Sequence, residues 1–235
     1  MANQRQPTRR RRAPYPGEDQ VLRDTGFLRQ ALKAAAGLDP TKDTDGPLLV
    51  VLSGLPGTGK SYFAGELAQL VPFQVLGSDQ IRKLLVPRPR YTRGEHARVF
   101  GACHLLIETY LAQGCRVLYD ATNLTESSRR PLYLICERLA VPLVLVRFTA
   151  PVETVRRRLA ERAMKPHPSD HSDADWLVYS RLSSHEEPIR RRHFTVDTSG
   201  GRSPVLAEIA RLAGALTQPP TAPGASLSRW EKERG

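Results

Sequence analysis

Residues 50–70, VVLSGLPGTGKSYFAGELAQL, set a cluster of three glycines and one lysine between an apolar run and an amphipathic one. The segment GLPGTGKS fits G-x-x-x-x-G-K-[ST] at Gly54, Gly59, Lys60 and Ser61. Gly54, Gly57 and Gly59 permit the backbone angles of a tight loop, so that amides here and at Thr58 can approach phosphate oxygens. A helix starting near Lys60 would add its positive end. Lys60 is placed to reach the β- and γ-phosphates of ATP, and Ser61 to ligate Mg²⁺.

A second acidic strand end follows in CRVLYDATN, where Asp120 closes the run Val117, Leu118, Tyr119. Asp120 reads as the partner of Ser61 at the hydrated Mg²⁺, or else as a cap of the next turn. No N/T-K-x-D guanine signature occurs, and no carboxylate directly follows Asp120. Those absences favour a phosphotransferase over a GTPase or a motor-type ATPase.

The acceptor side begins at VLGSDQIRKLL. Asp79 and Arg82 lie one helical turn apart at a strand end, where open α/β sheets bind ligands. A carboxylate there can take the proton of an attacking hydroxyl, and the arginine can grip an acceptor's phosphate or carboxylate. The competing reading is that Ser78 or Asp79 caps a helix. In APVETVRRRLAERAMKPH, Arg158 and Arg162 are four apart and share a helix face. An arginine lid over the γ-phosphate fits this density, as does a solvated basic surface.

These residues need a frame. Apolar runs at 48–53, 73–77, 115–120, 141–148 and 194–198 alternate with helical patterns near 60–71, 79–86, 95–113, 126–140, 151–164, 173–187 and 204–216. The alternation predicts α/β architecture: a five-stranded parallel sheet with helices on both faces, in a P-loop arrangement with an Arg-rich lid helix. The domain reading is a disordered basic tail (1–18), a docked N-terminal helix and linker (19–44), the main domain (45–216) and a second disordered tail (217–235). In the 173–187 pattern, Asp173 reads as the N-cap region, with Trp176, Leu177 and Tyr179 as packing and His185 and Glu186 at the surface or in the core. The net charge is +11, which favours anionic partners. Arg9 to Arg12 suit either a solvated tail or a nucleic-acid contact. Cys103, Cys115 and Cys136 show no ligand spacing and read as packed, reduced thiols of a cytoplasmic protein. No apolar stretch approaches the length of a membrane helix, so no membrane partner is expected.

The order of phosphate loop, D-x-x-R, DATN and an Arg-rich helix after PVETV resembles the 5′-hydroxyl polynucleotide kinase and zeta-toxin-like branch of the P-loop kinases, across roughly residues 47–200. The resemblance implies that Asp79 is the general base and that Arg82 binds the acceptor phosphate. It implies that Arg158 and Arg162 contact the ATP phosphates, with Asn123 and either Arg129 or Arg130 on the substrate side. It also places the adenine near residues 197–200. One departure is that Ala121 separates Asp120 from Thr122 and Asn123, where some polynucleotide kinases have Asp-Thr-Asn directly. The implied reaction moves the γ-phosphate of ATP to a hydroxyl, foremost the 5′-OH of a nucleic acid. Arg88, Arg90, Arg93 and Arg98 around Tyr91, with Phe100 beyond, fit a single-stranded backbone and a stacked base. Two alternatives stand beside it: a small-molecule kinase acting on a sugar, nucleotide-sugar or antibiotic, and an ATP-switched nucleic-acid-binding regulator.

Overall fold

The computed structural model describes residues 17–36, 46–165, 171–200 and 203–215. Most of the basic N-terminal tail, including Arg9 to Arg12, and the tail 217–235 lie outside the described residues. The five strands are β1 (Leu48–Ser53), β2 (Gln74–Gly77), β3 (Arg116–Asp120), β4 (Leu143–Thr149) and β5 (Phe194–Asp197). They form one sheet in the order β2-β3-β1-β4-β5, and every pairing is parallel. The helices are α1 (Glu18–Ala36), α2 (Lys60–Leu70), α3 (Ser78–Leu85), α4 (Arg93–Ala112), α5 (Glu126–Leu139), α6 (Val152–Met164), α7 (Trp176–Ser183) and α8 (Ser203–Ala215).

A parallel sheet buried on both faces needs apolar residues at both parities of its central strand. β1 meets that need, since all six of its residues are buried. Leu49 and Val51 pack with Val117, Tyr119 and Leu145 beneath α1, α3, α4 and α5. Leu48, Val50 and Leu52 pack with Leu118, Val146 and Phe148 beneath α2 and α8. The strand ends Ser53, Gly77 and Asp120 therefore emerge along one edge of the sheet, where the crossovers to α2 and α3 begin.

A third cluster joins Leu55 of the phosphate loop and Leu124 to Val155 and Leu159 of α6 and to Tyr179 of α7. It seats the arginine helix directly on the loop. The docked α1 is part of the core: Leu28 is fully buried, and Asp24 accepts both Nε and Nη2 of Arg98 at 2.6 and 2.8 Å.

The structure revises the segment after α6. Helix α7 spans Trp176–Ser183 rather than the 173–187 of the sequence pattern. Its N-cap is Asp175, whose carboxylate accepts the Val178 amide at 2.8 Å, and not Asp173. Trp176 and Tyr179 stack at 5.0 Å, but Leu177 is 70% exposed rather than packed in the core. Past Ser183 the chain runs as an irregular strap. Pro188 lacks the amide that a helix would need there. The Glu187 amide instead donates to Leu124 O, and Glu187's carboxylate accepts the Glu126 amide. No described helix is long and apolar enough to cross a membrane. All three cysteines are buried free thiols.

Candidate active site

The phosphate loop turns off β1 at Ser53, whose Oγ donates to Asn123 O at 3.0 Å. Gly54 lies so close to β4 that a Cβ would sit 2.7 Å from Phe148 O. Gly57 has φ +77°, and a Cβ there would lie 2.9 Å from Val155 Cγ1 and 3.2 Å from Leu159 Cδ2. The loop thus needs glycine for its own curvature and to let α6 rest on it. Gly57→Ala is expected to push α6 away, costing about 1–3 kcal/mol of stability and roughly a hundredfold in phosphotransfer. Thermal unfolding and single-turnover rates check both.

Helix α2 starts at Lys60 with Gly59 as N-cap and no side-chain cap. Its first amides therefore have no partner within the helix, which suits them to phosphate oxygens. Thr58 is buried, and its Oγ1 donates to Leu55 O at 2.7 Å. Lys60 is only 8% exposed, and its Nζ donates to Leu55 O at 2.9 Å. Burial, helped by the charge of Arg162, lowers its pKa, while Asp120 and Asp79 oppose that shift. Asp120 shifts upward: burial is the main cause and the like charge of Asp79 adds to it, against Lys60 and a hydrogen bond with Ser61. Lys60, Ser61, Asp79, Asp120 and Arg162 are thus close enough to act on one another. For Mg²⁺ the donor set fits: a hydroxyl and a half-buried carboxylate side by side, the remaining positions left to water and phosphate.

Asp79 lies in the first turn of α3, half-buried. The N-cap is Gly77, and no side chain caps the helix. Asp79's carboxylate makes no hydrogen bond or ion pair among the described residues, so capping does not account for it.

Arg82 is turned inward. It is 3% exposed, its Nη1 pairs with Glu95, its Nη2 meets His96 Nδ1 at 3.2 Å, and its guanidinium lies 4.8 Å from the Tyr91 ring. Only its Nε lacks a partner among the described residues. An open guanidinium awaiting an acceptor phosphate, the role expected from D-x-x-R, is not what this geometry offers. Glu95 does double duty, since its other oxygen accepts the Arg90 and Tyr91 amides at 2.8 and 3.1 Å. His96 is held below its ordinary pKa by burial and by the charge of Arg82.

Asn123 also departs from expectation. It is 3% exposed, and its Nδ2 donates to Leu52 O at 2.8 Å. Its amide ties the DATN turn to β1 rather than reaching for substrate. Arg130 is exposed on α5, whereas its neighbour Arg129 is completely buried. Arg129 donates to Asn123 O at 3.0 Å, Pro188 O at 3.1 Å and Glu187 O at 3.3 Å. The signal for Arg129 is its place on the apolar stripe of α5, in line with Leu132, Tyr133 and Cys136.

Of the lid arginines, Arg158 bridges the loop and β5: Nη1 donates to Thr198 Oγ1 at 2.7 Å and Gly57 O at 3.3 Å, and Nη2 to Thr198 O at 3.1 Å. Residues 197–200, read as the adenine end, thus lie against the same arginine. Arg162 donates to Ala174 O, and its charge reaches Lys60 and Asp173. The structure brings Lys60, Ser61, Asp79, Asp120, Arg158 and Arg162 to the phosphate loop and the strand ends beside it. Of the single-strand wall, Arg88, Arg90, Arg93 and Tyr91 are exposed. Arg98 is spent on Asp24, and Phe100 stacks on His96 at 5.9 Å and packs against the core.

Comparison with known proteins bears on the fold that carries these residues. The chain is 28% identical over 123 residues to the L-seryl-tRNA(Sec) kinase of Methanococcus maripaludis, an alignment covering 50% of this chain and 47% of that protein. The chain therefore spans about half the length of that relative. Among solved structures it resembles Kti12 of Chaetomium thermophilum in complex with ADP-AlF3, with a TM-score of 0.58 and 16% identity over 73% of this chain and 100% of that one. It also resembles the Mycobacterium tuberculosis APS kinase CysC in complex with AMPPNP and APS, with a TM-score of 0.51 and 14% identity over 73% and 97% of the two chains. At those identities the likeness is one of fold. These relatives are a tRNA kinase, Kti12 and an APS kinase, and none of the three is named as a polynucleotide kinase. A family model described as an AAA domain matches residues 49–185, more than half of the chain, from the first residues of β1 to the strap, and the chain belongs to that family.

Proposed function

We propose that this protein transfers the γ-phosphate of ATP to a hydroxyl, and that the hydroxyl is the 5′-OH of a polynucleotide. The observation that carries the reaction class is the Asp79 carboxylate, which has no hydrogen bond or ion pair among the described residues and lies within electrostatic reach of Lys60 and Asp120. A carboxylate without a structural partner at that place is suited to proton transfer. Asp79 accepts the proton of the hydroxyl, whose oxygen forms a bond to the γ-phosphorus as the bond to the bridging oxygen breaks and ADP leaves. Lys60, released from Leu55 O, and the arginines of α6 offset the charge on the transferring group. Mg²⁺ bound at Ser61 and Asp120 would neutralise the β- and γ-phosphate charge. The seat of α6 on the loop keeps water from the phosphate.

The acceptor reading is supported by charge and by one relative. Lys83, Arg88, Arg90 and Arg93 are exposed around the helix and loop that follow Asp79. The relative from Methanococcus maripaludis carries a tRNA in its name. Incubation with γ-labelled ATP and a 5′-OH oligonucleotide is expected to label the 5′ end in the parent and not in Lys60→Met. Four phosphate contacts to a single strand predict that acceptor affinity falls about fiftyfold between 50 and 200 mM salt.

A second reading has its own observation. With Arg82 enclosed by Glu95 and His96, no open guanidinium stands one turn from Asp79. A small hydroxyl compound, such as a sugar, nucleotide-sugar or antibiotic, needs none. Labelling of such a compound with no oligonucleotide labelling at low salt would establish this reading. ATP binding without transfer to any acceptor would instead indicate an ATP-switched regulator.

A further inference from the structure

Tyr91 is a large aromatic within electrostatic reach of Asp79 that the fold keeps half-exposed, and it does so against local preference. Its φ is +53°, the left-handed region that an aromatic residue rarely adopts. Such conformations persist only where the surroundings over-determine them, and they gather at functional sites. Here the surroundings are specific. One oxygen of Glu95 accepts the amides of Arg90 and Tyr91, and the other binds Arg82. Arg82 in turn covers one face of the ring at 4.8 Å. The phenol donates to Asp173 Oδ2 at 3.1 Å, and Asp173 is held by Lys83 at 2.9 Å. Burial, together with Asp173, pushes that phenol up to about 12, so it remains a donor. The ring is fixed at its backbone, at one face and at its hydroxyl, yet 46% of the residue stays exposed. Asp79 lies within electrostatic reach of it.

A rigid, half-exposed aromatic face beside the general base, flanked by exposed cations, suits a planar ring attached to phosphate. We propose that the open face of Tyr91 is the stacking platform for the base of the acceptor's 5′-terminal nucleotide, and that Glu95 is the positioning residue that holds the platform next to Asp79. This rests on the polynucleotide reading above and specifies it: the enzyme senses the presence of a terminal base more than its sequence. Stacking tolerates every base, because each has a π-face.

The test uses the full chain with 5′-OH oligonucleotides carrying either a terminal base or an abasic terminal sugar. Acceptor KM is read from labelling and Kd from fluorescence anisotropy. In the parent, loss of the base is expected to raise acceptor KM and Kd about tenfold or more. Tyr91→Ala is expected to raise both by the same factor on the base-containing acceptor, with no further loss on the abasic one and no change in KM for ATP. Tyr91→Phe, which keeps the ring, is expected to restore base discrimination. Glu95→Gln is expected to lower discrimination without abolishing ATP binding. A parent that labels both acceptors equally well, or a Tyr91→Ala protein that still discriminates them, overturns the platform while leaving the polynucleotide reading intact. A parent that neither labels nor binds any 5′-OH oligonucleotide overturns that reading and the platform with it.

Discussion

Exchanging Asp79 for asparagine is expected to lower phosphotransfer by about 10²–10⁴-fold while ATP is still bound. The side chains are nearly isosteric, and the exchange removes only the capacity to take a proton. The structure makes the comparison clean, because helix α3 is not capped by this residue and no ion pair among the described residues depends on it. Thermal stability should therefore stay within about 0.5 kcal/mol of the parent. Titration with a fluorescent ATP analogue and single-turnover labelling separate the two properties. A protein that loses ATP binding together with transfer would show that Asp79 shapes the nucleotide site, and the proton-transfer role would fall. The exchange also bears on its neighbours: Asp79 raises the pKa of Asp120 and supports the charge of Lys60, so removing its charge should favour ionised Asp120. A kinase whose rate drops for want of a base would thus keep, or improve, the site at which Mg²⁺ is expected.

Much of this site is legible from sequence because local chemistry sets it. Six buried residues of β1, the glycine spacing and the following amphipathic run admit few arrangements, and the strand and helix limits agree with the apolar periods to within one or two residues for most elements. The departures share a cause. Arg82, Asn123 and Arg98 have polar side chains whose partners come from distant parts of the chain: Glu95, Leu52 and Asp24. Spacing shows which residues share a face, but not which carboxylate or carbonyl will be waiting there. The same holds for α7, where Asp173 reads as the cap and the next aspartate, Asp175, supplies it. Once Asp173 is released from capping, it becomes the link between Lys83 and Tyr91, a contact across 82 residues that no local pattern encodes. Of the pair Arg129 and Arg130, only Arg129 stands on the apolar stripe of α5, which marks it as the inward one. What it binds is carried by backbone carbonyls, which leave no trace in sequence.

That buried arginine leads to the second large effect. Arg129→Ala is expected to cost about 3–5 kcal/mol, and the adjacent Arg130→Ala less than about 0.5 kcal/mol. Arg129 has no exposed surface and donates to three carbonyls, at Asn123, Glu187 and Pro188, besides its Nε contact with Glu126 at 3.3 Å. Truncation takes this donor from the Glu187 and Pro188 carbonyls, leaves Asn123 O with Ser53 Oγ alone, and opens a cavity under the strap. Lysine keeps the charge but cannot reproduce a planar fork serving separate carbonyls, so Arg129→Lys should recover less than half of the loss. The midpoint of urea unfolding at constant slope measures each. The effect should extend to catalysis, because Asn123 links this arginine to Leu52 and Ser53, the last residues before the phosphate loop. In Arg129→Ala the nucleotide affinity should fall along with stability, whereas in Asp79→Asn it should not. That difference separates a residue that holds the cleft together from one that works inside it. A buried arginine whose removal left both stability and ATP affinity unchanged would mean that the strap and the loop are fixed by other contacts, foremost the ion pair of Arg147 with Glu186 at 2.8 Å.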